Sequence, residues 1–420
     1  MTVQTEATSG PGQAPVRTSM VGAAKEYIDR IRGGDVGALP AVLGLAVLVG
    51  VFAILRPVSF TNAFNFANLI HQAAAVIVIA MGLVFVLLLG EIDLSAGFTA
   101  GTAAAIMGIA ATRHGWYWWA AVLACLATGA VIGLCIGLLV ARLGIPSFVV
   151  SLAAFLGLQG VLLKLIGEGG TIPIRDTVLL AINNEDLPVW LGWALFVVTI
   201  GLFAALLLRR YTQRRAGGLA NQTLAVVLFK IIAVGVLLGL ATFYLSGERS
   251  RNPAVASIKG VPLVVLVLLV LLVALTFLLS RTAFGRHVYA VGGNTEAARR
   301  AGINVASVKL TCFIISSTLA GIGGIMLASR DNSISPSTGG ASTLLYAVGA
   351  AVIGGTSLFG GKGRVIDAIL GGLVIAVIIN GMGLLNQPSS VVFIVTGIVL
   401  LVAASVDALS RRKAASSGRV

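Results

Sequence analysis

The chain of 420 residues is 58% hydrophobic and only 10% charged, with a mean hydropathy of +1.02. A water-facing globular surface carries about 25% charged residues, so this composition excludes an ordinary soluble enzyme or binding module. The net charge of +14 comes without a polar basic module with interleaved aromatics, which argues against nucleic acid as a partner and for Lys and Arg held on the cytoplasmic loops of a lipid-embedded bundle.

Residues 1–37 are polar, rich in Gly, Ser, Thr and Pro, and carry Arg17, Lys25, Arg30 and Arg32. They are read as a cytoplasmic tail, because a cleaved secretory signal would place its apolar core nearer the start. A bilayer core about 30 Å thick needs roughly 20 apolar residues per span. Apolar runs of that kind fall at 38–55, 66–89, 94–112, 116–140, 147–166, 188–208, 222–245, 261–280, 310–328, 343–358, 366–385 and 390–408. The segment 343–358 is short and glycine-rich and is read as broken or re-entrant, which is tolerated where backbone is buried in protein or lines a wet cavity. The expectation is an all-α polytopic membrane protein of about 12 hydrophobic segments. One transmembrane domain covers 38–408, and residues 409–420 form a second cytoplasmic tail.

Basic residues set the expected orientation. With the N-terminus inside, the cytoplasmic connections hold Arg142, the RRYTQRR run at 209–215, the segment Arg281 to Lys309, and Lys362 with Arg364; Arg411, Arg412 and Lys413 follow the last segment. The opposite connections are mixed in sign: Glu168, Arg175, Asp176, Glu185 and Asp186 in one, and Glu248, Arg249, Arg251 and Lys259 in another. That asymmetry places both termini in the cytoplasm. Cys125, Cys135 and Cys312 read as small apolar side chains, and no Cys/His cluster has metal-ligand spacing.

Within the fourth segment Gly129, Gly133 and Gly137 make a double small-xxx-small stripe, suited to close helix packing within the chain or at a subunit interface. Between the eighth and ninth segments, residues 281–309 contain Asn294 as an N-cap, Thr295, Glu296 in a first turn, Arg299 and Arg300, and Gly302 as a stop. A short capped helix over 295–301 is expected there, entered by a turn at Gly292 and Gly293 and exposing Glu296, Arg299 and Arg300. Such a stub is either a connector or an element that docks into a partner's groove.

This loop resembles the coupling segment of the permeases of ABC sugar importers, the family of the ribose, galactose, arabinose and xylose systems. GEIDLSAG at 90–97, GIPSFVVSLAAFLGLQG at 144–160, VIGGTSLFGGKGRV at 352–365 and NGMGLL at 380–385 agree with it in order and spacing. Glu91 before the Ile-Asp-Leu-Ser stretch makes the xylose branch the best match, and that resemblance implies that 209–260 is an inserted cytoplasmic loop plus span. Where the family usually carries Glu-Leu-Asp, this chain has Leu344, Leu345 and Tyr346. The resemblance implies a multi-pass protein of the bacterial cytoplasmic membrane, a dimer of two permease chains, two cytoplasmic ATPase subunits and an extracytoplasmic sugar-binding protein. It also implies that the stub at 294–302 sits in the ATPase groove, that this chain binds no cofactor, and that ATP and Mg belong to the ATPase.

The candidates for the solute path are Glu91, Asp93, Ser95, Gln159 and Asn380. Acids within a membrane are functional candidates by default, yet Glu91 and Asp93 serve equally well as caps on the backbone amides of Ile92–Ala96. Asn380 and Gln159 suit sugar hydroxyls and also hydrogen bonding between helices. TSLFGGKG at 356–363 lacks the first Gly and the final Ser/Thr of a phosphate-binding loop, so the chain is not expected to hydrolyse ATP. Two other classes fit less: a secondary transporter relaying protons through Glu91 and Asp93, and a membrane enzyme or channel, for which no catalytic set or charged ring is present.

Overall fold

The computed structural model describes residues 37–217, 221–250, 253 and 257–416, together with the strand Arg17–Thr18. The expected tail at 1–37 therefore lies almost wholly outside the described residues, as does Arg251. In chain order the helices are α1 (Leu39–Leu55), α2 (Pro57–Phe60), α3 (Ala63–Leu88), α4 (Ala96–Thr112), α5 (Trp118–Ala141), α6 (Ser147–Ile166), α7 (Thr177–Asn184) and α8 (Val189–Ala216). They continue as α9 (Leu224–Ser246), α10 (Leu263–Arg281), α11 (Ala283–Gly293), α12 (Thr295–Arg300), α13 (Val305–Asp331), α14 (Ala341–Gly354), α15 (Val365–Leu384) and α16 (Ser389–Ser416). Strand content is slight: β1 (Arg17–Thr18) pairs in parallel with β3 (Asn221–Gln222), and β2 (Ile172–Pro173) is antiparallel to β4 (Ser333–Ile334).

Among the described residues nine helices are long and apolar enough to cross a membrane; α1, α4 and α14 are shorter apolar helices. Each of the twelve expected apolar segments falls on one of these. The glycine-rich 343–358 stretch is helical only to Gly354, within the unbroken 14-residue helix α14, which Gly355 ends at a φ of +117°. At 1.5 Å per residue the helix extends about 21 Å, well short of a full bilayer core. Past residue 408 the chain stays helical to Ser416.

The bundle is built around α3. Its run from Ala73 to Leu88 is apolar on every side and wholly buried, as expected for a helix with no polar stripe to offer a surface. Helices α13, α14 and α15 pack directly on it, and α4 and α5 join through α13. The stripe Gly129, Gly133 and Gly137 faces α13 of the same chain. A Cβ at Gly129 or Gly133 would lie 2.5 Å from the carbonyl oxygen of Ser317 or Phe313, and one at Gly137 would lie 2.8 Å from the Leu310 side chain. Only glycine permits this backbone approach. By contrast α8 and α9 pack mainly on each other and leave Val197, Leu202, Leu237 and Phe243 exposed. That is the surface lipid would cover.

Candidate functional site

At the end of the bundle carrying Arg142, Arg281 and Lys309, α12 projects as an ordered stub. Asn294 is extended, and its Oδ1 accepts from the Ala297 amide at 2.9 Å, so one otherwise orphaned N–H is satisfied. Thr295 Oγ1 donates to the Val291 carbonyl at 2.9 Å, and Gly302 leaves the helix at a φ of +82°. Glu296 pairs with Arg299 at 2.9 Å and Arg300 at 3.3 Å, one turn along. These side chains are 56%, 64% and 79% exposed. Exposed pairs of this spacing are worth about 0.3–0.5 kcal/mol, so they shape the stub without committing its charges. Only Ala298 of the helix is buried.

The approach to the stub differs from expectation. Where a turn at Gly292 and Gly293 was expected, residues Ala283–Gly293 form α11, capped by Thr282 Oγ1 accepting from the Gly285 amide at 3.2 Å. Val288 and Val291 are fully buried against the bundle. Gly292 is needed for contact: a Cβ there would lie 1.8 Å from the Leu88 carbonyl oxygen at the end of α3. That same oxygen accepts from the Gly361 amide at 2.8 Å, and Tyr289 Oη donates to the Gly363 carbonyl at 2.8 Å. The Gly-Lys-Gly stretch at 361–363 thus closes against α3 and α11. The helical signal was present in Thr282, Phe284, Val288 and Val291, but three glycines within eleven residues masked it.

The Gly90–Ser95 connection between α3 and α4 lies beside this surface. Asp93 is buried, and its Oδ1 accepts from the Ser95 amide at 3.0 Å and from Ser95 Oγ at 2.6 Å; its Oδ2 accepts from Ser316 Oγ of α13 at 3.1 Å. The Ile92 amide donates to Ser147 Oγ and its carbonyl accepts from Ser151 Oγ, both at 3.2 Å. The motif therefore ties α4, α6 and α13 together. Glu91 instead forms an ion pair with Lys309 of α13.

The remaining candidates stand apart. Asn380 of α15 and Asn65 of α3 exchange amide hydrogen bonds at 3.0 and 2.9 Å, and Asn65 Nδ2 also donates to the Phe60 carbonyl at 3.1 Å. Gln159 is exposed on α6, on a face shared with Leu156 and Gly160. Asp93 and Ser95 are thus brought together with Ser316, whereas Glu91, Gln159 and Asn380 each have separate surroundings. Lys309, Asn65 and Ser147 were not singled out from sequence, because nothing local marks a partner that lies 218, 315 or 55 residues away.

Residues 65–404 match the family described as branched-chain amino acid transport system / permease component. The xylose transport system permease protein of Escherichia coli K12 is 34% identical over 84% of this chain and 87% of its own length. The corresponding protein of Haemophilus influenzae is 33% identical, over 89% of this chain and 96% of its own length. The chain belongs to this permease family. The permease is also 29% identical to the ribose import permease protein of Escherichia coli K12, over 87% of this chain and 92% of that protein. No solved structure matches it. The resemblance to ABC sugar importer permeases, drawn from five separated motifs, is thereby borne out, and those motifs fall on α12, the α3–α4 connection, α6, the α14–α15 loop and the end of α15.

Proposed function

We propose that the permease is the membrane-spanning subunit of an ATP-binding-cassette importer that carries a monosaccharide, D-xylose or a related pentose, across the bacterial cytoplasmic membrane. Two copies of the chain span the membrane together, two cytoplasmic ATPase subunits bind ATP and Mg, and an extracytoplasmic binding protein delivers the sugar. The end bearing α11 and α12 faces the cytoplasm with both termini, in keeping with the basic residues gathered there. Gln159, a polar side chain on an exposed face of a spanning helix, supports placing the second chain against α6, since hydrocarbon would leave its amide unpaired.

The observation that carries the proposal is the exposed, doubly capped helix α12 in a chain of this family. Its three charged side chains stand in the open while only Ala298 turns inward, a surface that suits docking into a partner's groove. The test is ATP-driven D-xylose uptake into proteoliposomes holding permease, ATPase and binding protein. Glu296→Arg, or deletion of 295–301, should abolish uptake while the chain still inserts and melts normally. Unimpaired uptake in either variant would remove α12 from the mechanism.

A further inference from the structure

The hairpin of α8 and α9 carries a charge that nothing on it answers. Between Asp186 and Glu248 the chain has no acidic residue, yet it holds Arg209, Arg210, Arg214, Arg215 and Lys230. The four arginines crowd the end of α8, and all are exposed. Among the described residues none of the four forms an ion pair. The C-terminal end of a helix presents about half a negative charge, so the dipole of α8 offsets only a small part of four guanidinium groups. A concentration of one sign of charge draws in the opposite sign from outside the hairpin.

Spacing along α8 sets the depth at which that anion is met. Trp190, 69% exposed, stands at the start of the helix, and an indole favours the boundary between lipid and water. Arg210 follows 20 residues later, about 30 Å at 1.5 Å per residue, which is about the thickness of a hydrocarbon core. Arg210 therefore reaches the headgroups of the far leaflet, and Arg214 lies about 6 Å beyond it. Leu202, Leu206, Arg210 and Arg214 succeed one another at four-residue intervals, each above the last on the helix surface. Leu202 and Leu206 are 58% and 51% exposed. An apolar track thus leads into a pair of cations.

We propose that this strip of α8 binds an anionic phospholipid of the cytoplasmic leaflet, its phosphate between Arg210 and Arg214 and an acyl chain along Leu202 and Leu206. The planar guanidinium fork matches phosphate geometry, and two forks one turn apart bracket a single phosphate. A zwitterionic lipid brings its own ammonium against the arginines and leaves the charge of the hairpin unbalanced. Inorganic phosphate meets the cations but has nothing to lay on the leucines. An acidic protein surface would stop at the arginines, because Leu206 and Leu202 lie about 6 and 12 Å deeper in the hydrocarbon. The site requires only that α8 crosses a bilayer, and it stands whichever solute the permease carries.

The test is native mass spectrometry of the full-length permease in a neutral detergent, titrated with dioleoyl-phosphatidylglycerol. Saturable binding is expected. The Arg210→Gln/Arg214→Gln variant should bind about thirtyfold more weakly, at about fivefold for each arginine beside an anionic headgroup. Both positions are exposed, so this variant should melt like the wild type. The Arg281→Gln/Arg286→Gln variant removes the same charge from two other exposed positions and should keep the wild-type affinity. Dioleoyl-phosphatidylcholine should bind far more weakly, and inorganic phosphate should not displace the phosphatidylglycerol. Equal affinity in the wild type and the Arg210/Arg214 variant overturns the proposal, as does an equal loss in both variants, which would mark diffuse attraction to charge. Displacement by inorganic phosphate overturns it in favour of a simple anion site. Unchanged lipid binding with a lost hold on the ATPase overturns it in favour of a protein surface.

Discussion

Replacing Asn380 by Leu distinguishes a structural amide from a solute-binding one. Asn380 and Asn65 share two hydrogen bonds between α15 and α3, at 3.0 and 2.9 Å, and both residues are buried. Polar contacts between membrane helices average about 0.6 kcal/mol and reach about 1.7 kcal/mol, so the pair contributes about 1–3 kcal/mol. Asn380→Leu also leaves Asn65 Oδ1 with no donor in an apolar setting, and its total cost should be about 2–3 kcal/mol. Asn65→Leu should cost a similar amount, because it also loses the bond to the Phe60 carbonyl. The double variant has no stranded amide, and its cost should fall short of the sum of the singles by about 1–2 kcal/mol. Equilibrium unfolding in mixed micelles of rising SDS fraction, followed by circular dichroism, measures all four corners of the cycle. ATP-driven uptake per folded molecule should survive in the double variant. Additive destabilisation would refute the pairing argument. A folded double variant that no longer transports would return Asn380 to the solute path.

Two further outcomes are expected. Gly133→Val places a Cβ 2.5 Å from the Phe313 carbonyl oxygen and 2.7 Å from Ile314 Cα, both backbone atoms that cannot rotate aside. Overpacking of this kind costs about 1–3 kcal/mol, so the melting temperature should fall, whereas Gly157→Val, which meets nothing within 4 Å, should leave melting unchanged. Glu248 accepts from Ser257 Oγ and from the Ser250 and Ile258 amides, and these hydrogen bonds hold its carboxyl down at about 2. Because the folded value lies below the free value of 4.5, the carboxylate's hold on the loop is full above about pH 4.5 and is lost as pH falls through about 2. Cleavage of this loop by an acid-tolerant protease should stay slow down to about pH 3 and accelerate near pH 2. Glu248→Gln should be cut faster above about pH 3, the two rates converging near pH 2, and equal rates above about pH 3 would refute the assignment.

Hydropathy made the membrane-crossing helices legible, because each must satisfy its backbone internally and hide it behind apolar side chains. It could not separate α3, enclosed by protein, from α9, turned outward, since both are apolar all round. Helix α13 runs from Val305 to Asp331, beyond the expected 310–328, because its polar ends are helical without being apolar. The capped stub was readable from Asn294, Glu296 and Gly302, since capping is local chemistry. Arg249 was not: it read as one charge in a connection of mixed sign, and only the fold brings Asp186, 63 residues earlier, against it. Asp93 was legible as a cap within its own loop, but its contact with Ser316, 223 residues away, was not.

The contact at Gly292 has a mechanical corollary. Side chains between two helices act as springs that swallow small displacements by changing rotamer, but here the main chain of α11 rests directly on the terminal carbonyl of α3. A tug on the stub next to it would meet no slack before reaching the central helix, so a larger residue at 292 would pry the joint open and leave the two ends of the molecule out of step.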